Sequence, residues 1–311
     1  MTTIEATPLQ LADLRGNPGR LRKEAVVRGL FLAAATLSIV ISALIVFSLV
    51  REAWTFITEV DVAMLWASGW FPRRGLYDVK TLLVGSLIVT IIAMLVAVPL
   101  GLGAAIYLSE YARPSVRRVL KPVLEILAGI PSVVLGFFAL TWISPQLVQR
   151  FSDGATQFNL AAAGIGVGIL TIPLMASISE DAMRSVPNAL REASAGMGAR
   201  KVTTSTRVVV PAAVSGLVAA FIVAVSRAIG ETMVVAIAAG ATGGSLFTTN
   251  ALRPGQTMTA AMAAQAAGTD SVKGAALTFQ SLFFVGMLLF VITFALNLFA
   301  GRYVRRVRQR Y

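Results

Sequence analysis

Residues 81–108 read TLLVGSLIVTIIAMLVAVPLGLGAAIYL, a stretch of 28 residues that carries no charged side chain. An α-helix needs about 20 mostly apolar residues to cross the hydrocarbon core of a bilayer. A helix also satisfies its own backbone hydrogen bonds, which lipid cannot do. The stretch therefore predicts a transmembrane helix, and with it an all-α integral membrane protein.

Further apolar runs lie on both sides of this stretch. They cover residues 30–50, 126–149, 154–179, 208–240 and 274–301. The run 30–50 is too long for the h-region of a typical signal peptide and follows 29 other residues, so it predicts a retained helix. We expect six transmembrane helices, with 208–240 as one long helix that bends at Pro211, Gly216 or Gly230.

The composition agrees with a membrane protein. Of the 311 residues, 56% are hydrophobic and only 14% are charged, and the mean hydropathy is +0.77. Soluble domains carry about 25% charged residues. The chain has no Cys and no His, which excludes disulfides, thiol nucleophiles, imidazole bases and the common zinc sites. It also has no Walker-type Gly-Lys-Ser/Thr loop, so the sequence indicates no nucleotide hydrolysis by this chain.

The distribution of basic residues predicts the orientation. With six helices and a cytoplasmic N-terminus, 19 of the 27 Lys and Arg residues fall on the cytoplasmic side, 7 fall outside and Arg227 lies in the membrane. This bias follows the positive-inside rule and places both termini in the cytoplasm. A seven-helix alternative, with a hairpin at Arg227 to Glu231, would put the Arg-rich tail outside and is rejected. The net charge of +12 is thus a topology signal and an attraction to membrane lipid, and it does not indicate a nucleic-acid partner.

The chain divides into a membrane domain with two basic ends. We expect residues 1–28 to form a cytoplasmic arm, 29–302 the transmembrane domain and 303–311 a cytoplasmic tail. The apolar segment 256–267 is too short to cross a bilayer and predicts an external or re-entrant helix.

Three glycines alternate along the fourth run, at Gly164, Gly166 and Gly168. The spacing is similar to part of a dinucleotide-binding fingerprint, but the strand-to-helix context is missing and the run is apolar. Close packing of helices through small residues is the better interpretation.

The cytoplasmic loop 180–207 contains the most informative segment. Pro187 suits the first turn of a helix, and Ala189, Leu190, Ala193 and Met197 follow at near-helical spacing. Gly198 is a natural helix stop. A short amphipathic helix held close to the membrane is either a docking element for another protein or a surface helix at the lipid interface.

This loop resembles the signature of permease subunits of ATP-binding-cassette importers. That signature is Glu-Ala-Ala, three residues, Gly, nine residues, Ile-x-Leu-Pro. The chain has Glu192-Ala193-Ser194, then Gly198, then Val208-Val209-Val210-Pro211, with the same spacing and mild replacements. The resemblance implies the type I importer permease fold. It also implies a coupling helix in which Glu192, Ala193, Gly198 and Pro211 belong to the contact with an ATPase subunit.

A second resemblance narrows the substrate. Residues 226–233, SRAIGETM, are similar to the fifth-helix motif of permeases of the phosphate-specific transport system. Residues 124–136, LEILAGIPSVVLG, and 107–112, YLSEYA, are similar to the same group. Two homologous permeases pair in that system, and the sequence of these motifs is more similar to the PstC type than to the PstA type. The resemblance runs from about Arg28 to Arg302.

Arg227 and Glu231 are the charges within an apolar run, four residues apart and on one helix face. Burying a charge in a membrane costs at least about 2.5–3.5 kcal/mol, so the pair needs a structural or functional reason. One interpretation is a self-satisfied pair that orients the fifth helix. The other is a gate or anion contact, since Arg suits phosphate oxygens. In the second case Arg227 binds the anion directly, or leaves Glu231 for a partner subunit in one state.

The third run is interrupted at Gly129, Pro131 and Ser132. A broken helix exposes N–H groups that attract anions, which would place Ser132 on the substrate pathway with Arg227, Glu231 and Thr232. A simple proline kink for packing is the alternative.

The resemblances together imply a permease subunit for phosphate import in the inner membrane. The implied partners are a homologous PstA-like permease, two PstB-like ATPase subunits and an external PstS-like phosphate-binding protein. No cofactor is expected on this chain, because ATP and Mg belong to the ATPase, and no catalytic residue is expected. The alternatives are a permease for sulfate or molybdate, an ion-coupled secondary transporter, and a non-transporting membrane sensor or assembly factor.

Overall fold

The computed structural model describes residues 18–66, 69–240, 244–267 and 277–307. In the described part, five helices are long and apolar enough to cross a membrane, and one bent pair of helices adds a sixth span. The six-span prediction is therefore confirmed. Two short strands, β1 (Trp70–Phe71) and β2 (Leu76–Tyr77), are paired antiparallel.

The helices follow one another with short connections. Their bounds are α1 Pro18–Glu59, α2 Val79–Ile106, α3 Pro114–Ala128, α4 Ser132–Phe138, α5 Gln149–Phe151, α6 Leu160–Arg184, α7 Asn188–Gly196, α8 Lys201–Thr204, α9 Val210–Ala212, α10 Val214–Ile229, α11 Met233–Ala238, α12 Met258–Ala267 and α13 Thr278–Val307. Wider π-helical turns continue α2 over Tyr107–Tyr111, α4 over Ala139–Val148 and α8 over Ser205–Val209. Short 3₁₀ segments cover Val62–Trp66 and Pro72–Arg74.

The chain separates into two units, residues 1–51 and 52–311. The described part of the first unit is helical from Pro18, so residues 18–28 of the predicted arm continue into the first span. Its large apolar side chains are exposed along the span, Leu30 and Phe47 each by about two thirds. A helix that is apolar all round suits a lipid environment.

Two of the predicted spans have different bounds from those expected. The third span begins at Ser132 and not at residue 126, because residues 126–128 belong to the separate helix α3. The single long helix predicted for 208–240 is wrong. A bend of 72° separates Lys201–Ala212 from Val214–Ile229, and a second break at residues 230–232 precedes α11. Pro211 precedes the bend and Gly230 opens the second break, two of the three positions proposed.

The second unit is built around α2 and α6, which have the most extensive contact in the structure. Gly164 and Gly168 of α6 face α2, where an added Cβ would lie 2.7 Å from the Cβ of Ile92 and 2.8 Å from that of Val96. Gly166 faces the other way, towards Ala139 and Val234. Glycine lets the two backbones approach closely, which confirms the packing interpretation of this run.

Gly168→Ala is expected to destabilise the protein by about 1–3 kcal/mol, since the new methyl group overpacks the α2–α6 contact. Gly103→Ala is the matched control, because its Cβ would meet nothing within 4 Å. Thermal unfolding in detergent measures the difference. Equal midpoints for the two variants would contradict close packing as the role of the glycine.

The outer end of the second unit is closed by the strand pair and α12. Trp70, Tyr77 and Phe56 are buried in an aromatic cluster, against which the partly buried Phe284 packs. Helix α12 is the short helix predicted for 256–267, and its first residue, Met258, donates its N–H to the Ser86 hydroxyl of α2 at 3.1 Å. This helix packs against α2, α11 and α13, so it supports the region where the fifth span is broken.

Candidate functional site

Helix α7 is the predicted amphipathic helix of the loop 180–207. It begins directly after Pro187 and ends before Gly198, which has a φ of +76°. The Gly198 N–H donates to the Ala195 carbonyl at 2.9 Å and the Ala199 N–H to the Ser194 carbonyl at 3.1 Å, the two bonds of a Schellman motif. The predicted helix and its glycine stop are therefore confirmed.

The two sides of α7 have different environments. Glu192 and Ala193 are exposed on the outward side, and Met197 is 87% exposed. Leu190, which the sequence places with Ala189, Ala193 and Met197 on one apolar face, instead packs inward against a buried cluster around Met183, Val186 and Val209. The outward face is thus small, apolar and centred on one carboxylate.

The inward side of α7 is attached to the membrane helices by polar contacts. Arg191 forms a bidentate ion pair with Glu110 in the π-helical turn after α2, with Nη2–Oε1 at 2.9 Å and Nε–Oε2 at 3.2 Å. The Ser194 and Thr204 hydroxyls are hydrogen-bonded at 2.9 Å, which joins α7 to α8.

Pro211 is not part of α7. It is exposed in α9, directly before the 72° bend that leads into α10. Proline is compatible with the first turn of a helix and disfavours continuation from the preceding one. The structure therefore separates Pro211 from Glu192, Ala193 and Gly198 and associates it with the bend of the fifth span.

The second candidate site is the break between α10 and α11. Glu231 lies in the break and is 5% exposed, while Arg227 lies one turn earlier in α10 and its side chain is 53% exposed. The guanidinium Nη2 is 3.8 Å from the Glu231 Oε2. Glu231 Oε1 also lies 3.5 Å from the Val234 N–H at the start of α11, and the Thr259 hydroxyl of α12 donates to the Glu231 carbonyl at 2.8 Å.

The pair is therefore asymmetric. The carboxylate of Glu231 is held by the broken backbone, whereas Arg227 has this ion pair and no hydrogen bond to another described residue. A guanidinium has five N–H donors, so Arg227 keeps donors for a ligand or a partner chain. Thr232 donates to the Gly230 carbonyl at 3.3 Å and is only partly buried.

Ser132 lies at the second interruption of the membrane helices. Helix α3 ends at Ala128 and α4 begins at Ser132, so the chain is broken here and not merely kinked. Helix α4 packs against α11, with Gly136 opposite Ile237 and the Met233 carbonyl. Within the described residues no hydrogen bond or ion pair joins Ser132 to Arg227, Glu231 or Thr232, so its place on the pathway stays a prediction.

Comparison with known proteins gives the family. Residues 97–309 match the family model described as "Binding-protein-dependent transport system inner membrane component". The chain belongs to this family. Membership in this family of transport system components makes it a multi-pass inner-membrane permease subunit, and the matched region contains both α7 and the break at Glu231.

Curated relatives are similar to this chain over most of its length. A "Probable ABC transporter permease protein YqgH" of Bacillus subtilis is 36% identical over 223 residues, 70% of this chain and 72% of that protein. A "Phosphate transport system permease protein PstC" of Mesorhizobium japonicum is 30% identical over 306 residues, 92% of this chain and 91% of that protein. These relatives are permease subunits and not enzymes.

Solved structures with a similar fold support the architecture of this chain. A chain of a bacterial alginate ABC transporter, in complex with an alginate-pentasaccharide-bound periplasmic protein, superposes with a TM-score of 0.62 at 14% identity. It covers 92% of this chain and 98% of that one. A chain of the inward-facing MetNI methionine ABC transporter gives 0.54 at 20% identity, covering 80% and 100%. The chain therefore has the permease fold of type I ABC importers.

Two clusters at the cytoplasmic ends of the helices escaped sequence reasoning. Glu110 was recognised only as part of the motif 107–112, with no partner. Glu180 of α6 is 0% exposed and forms ion pairs with Arg117, Lys121 and Arg184, of which the Lys121 contact is 3.2 Å. An additional hydrogen bond from Lys121 to Asp181 raises the pKa of the Lys121 amino group, so that group stays charged.

The sequence contains only a weak signal for these two clusters of ion pairs. Each acidic residue lies at the end of an apolar run that is followed by several basic residues, which indicates pairing but not the partner. The paired residues are far apart in the sequence, by 81 residues for Glu110 and Arg191 and by 63 for Arg117 and Glu180. The tertiary fold therefore determines which residues pair.

Proposed function

We propose that this chain is the PstC-type permease subunit of an ATP-driven phosphate importer. The relatives named phosphate permeases support the substrate, since they match up to 92% of this chain. The observation that carries the proposal within the structure is the half-exposed Arg227 beside the buried Glu231, at a break in a membrane helix. Arg is well suited to phosphate oxygens because its planar fork binds them in a bidentate manner.

The permease would act in a larger assembly. We propose a homologous PstA-like permease, two PstB-like ATPase subunits and an external PstS-like phosphate-binding protein as its partners. The two permeases would form the pathway together, each supplying half of it. ATP and Mg would bind to the ATPase subunits, so this chain would perform no bond chemistry.

Arg227 and Glu231 would act on the substrate pathway, with Thr232 and Ser132 near it. Glu231 is positioned by the start of α11, where its Oε1 lies 3.5 Å from the Val234 N–H, and the half-exposed guanidinium of Arg227 lies beside it. Arg227 would exchange its 3.8 Å contact with Glu231 for a phosphate oxygen or for a group on the second permease. In the first case the state of the gate would depend on the anion, and in the second it would depend on the contact with the second permease.

Helix α7 would couple this pathway to ATP. Its outward face, with Glu192, Ala193 and Met197, is small enough to enter a groove and is exposed in the isolated chain. Gly198 turns the backbone away at the end of the helix, so that α8 returns to the membrane. Closure of the two ATPases around ATP would then move α7 and switch the pathway between its outward and inward openings.

Reconstitution in proteoliposomes tests this function. Vesicles contain this chain, the second permease and the ATPase, with the binding protein outside and ATP with Mg inside. We expect uptake of radioactive phosphate that requires hydrolysable ATP and continues when ionophores remove the proton and sodium gradients. Sulfate and molybdate are the matched substrates for specificity.

Three results would contradict the proposal in different ways. Uptake driven by a gradient without ATP would indicate a secondary transporter. ATP-driven uptake of sulfate or molybdate in preference to phosphate would support an ATP-driven importer but contradict phosphate as its substrate. No uptake of any oxyanion by a complex that hydrolyses ATP would reject the oxyanion pathway.

A further inference from the structure

The side chain of Arg191 is fully engaged on the inward side of α7. Besides the two bonds to Glu110, its Nη1 donates to the Val186 carbonyl at 2.7 Å and to Asn188 Oδ1 at 3.4 Å. Its Nη2 also donates to the Met183 carbonyl at 2.8 Å. All five N–H groups of the guanidinium therefore have acceptors, which is the full capacity of the side chain.

The acceptor Glu110 is equally well held. It is 6% exposed, and the Ser109 hydroxyl donates to its Oε1 at 2.8 Å. It lies in the π-helical turn Tyr107–Tyr111, where the helix widens and aims the carboxylate at α7. The amino group of Lys201 lies over the Tyr111 ring at 5.1 Å, a second contact between this turn and the loop.

These contacts join three elements at one point. Glu110 belongs to the end of α2, Met183 to the last turn of α6, and Arg191 to α7. The other inward contacts of α7 are the Leu190 side chain in the apolar cluster and the Ser194–Thr204 hydrogen bond to α8. The hydrophobic effect is non-directional, whereas a bidentate ion pair fixes distance and angle. Of the side-chain contacts of α7, the Arg191–Glu110 pair is the one that sets both distance and angle towards α2, and Arg191 also bonds the last turn of α6.

Helices α2 and α6 also contact the helix that carries Arg227 of the second candidate site. Helix α10, which carries Arg227, packs against both α6 and α2. A displacement of α7 that is transferred to α2 and α6 thus reaches the helix of the proposed gate through packed elements. Interlocked cores transmit such displacements because they deform little.

We infer that Arg191 and Glu110 are positioning residues that transmit movement of α7 to the membrane helices. This inference rests on the proposed role of α7 in coupling to the ATPase. The outward face would bind the ATPase with or without the ion pair, while the ion pair determines how much of the ATPase movement reaches the pathway. Loss of the pair separates hydrolysis from transport and leaves docking intact.

The test measures phosphate transported per ATP hydrolysed in the reconstituted complex. In Glu110→Gln and Arg191→Gln this ratio is expected to fall at least about fivefold, the lower end of typical coupling between sites. ATPase co-purification is expected to stay at the wild-type level. Arg118→Gln is the matched control, because Arg118 is exposed on the same side and has no ion pair among the described residues, and its ratio is expected to be unchanged.

A covalent rescue separates transmission from stability. The chain contains no Cys, so a Glu110→Cys/Arg191→Cys pair is the sole target for thiol reagents in this chain. The pair is expected to be uncoupled before treatment and to regain most of the wild-type ratio when a short bis-methanethiosulfonate linker joins the two thiols. A reagent with a single reactive end, which modifies the thiols without joining them, should not restore the ratio.

The outcomes distinguish this inference from the proposed function. A wild-type ratio in both Gln variants, or a double-Cys variant that the linker does not rescue, would overturn the transmission role. Loss of ATPase from the Gln variants would also overturn it, since the pair would then serve docking. A wild-type complex that binds no ATPase or moves no phosphate would reject the proposed function itself.

Discussion

Replacing Arg227 by Gln is expected to reduce phosphate uptake by at least about 100-fold while leaving the transporter assembled. Gln has a similar length and keeps two N–H donors, but it has no charge and no bidentate fork. Glu231 remains 5% exposed and loses its only ion-pair partner among the described residues. The variant therefore leaves the buried carboxylate without its ion pair and removes the anion contact proposed for Arg227.

Uptake in proteoliposomes and size-exclusion chromatography of the complex measure the two parts of this prediction. Arg227→Lys is the informative second variant, because it keeps the charge and removes the fork, so partial uptake is expected. Arg150→Gln is the matched control, since Arg150 is exposed at the end of the third span. Normal uptake by Arg227→Gln would remove Arg227 from the pathway.

Reversing the charge of Glu192 is expected to release the ATPase from the permease. In Glu192→Arg, a cation replaces the only acidic group on the outward face of α7. Charge reversal at a docking surface leaves both partners with unpaired charges, which costs roughly 2–5 kcal/mol, or a loss of about 30-fold or more in affinity. Co-purification of the ATPase with the tagged permease measures the loss.

Glu125→Arg is the matched control for this variant, because Glu125 is an exposed carboxylate on α3, outside α7. Gly198→Ala is expected to weaken docking less, since strain at a φ of +76° costs about 1–2 kcal/mol. Gly198→Asn should be better tolerated, as Asn visits this conformation more readily. Retention of the ATPase by Glu192→Arg would assign docking to another surface.

Much of the fold could be predicted from the sequence, because lipid leaves few solutions for an uncharged stretch. The spans that became α2 and α13 match their apolar runs to within a few residues at their first positions. Gly198 was recognisable as a helix stop because a local backbone rule decides it. The fold class and the position of α7 thus depended on local signals.

The predictions that were wrong depended on tertiary packing. The interruption at Gly129, Pro131 and Ser132 was recognised, but hydropathy alone did not assign residues 126–128 to the separate helix α3. Leu190 fits the helical periodicity of the outward face, but the cluster around Met183 draws it inward. Pro211 and Gly230 were recognised as places where the fifth span could bend, but hydropathy does not show that the span is divided into separate helices there.

The candidate site was predicted in part. Arg227 and Glu231 stood out because charge is rare in an apolar run. Their asymmetry, with a buried carboxylate and a half-exposed guanidinium, required the structure. The Arg191–Glu110 pair could not be found from one sequence, since Glu110 follows α2 and Arg191 lies in the loop after α6, and the two meet only when α2 and α6 pack.

The two breaks that flank α10 have a mechanical consequence. From the bend at Ala213 to Arg227 the helix rises roughly 21 Å, at 1.5 Å per residue. Over this lever arm, a tilt of about 10° about the bend would displace the guanidinium by about 4 Å. That displacement is about the length of an ion-pair contact, so a rotation too small to disturb the helix itself is enough to bring Arg227 within reach of a group outside α10.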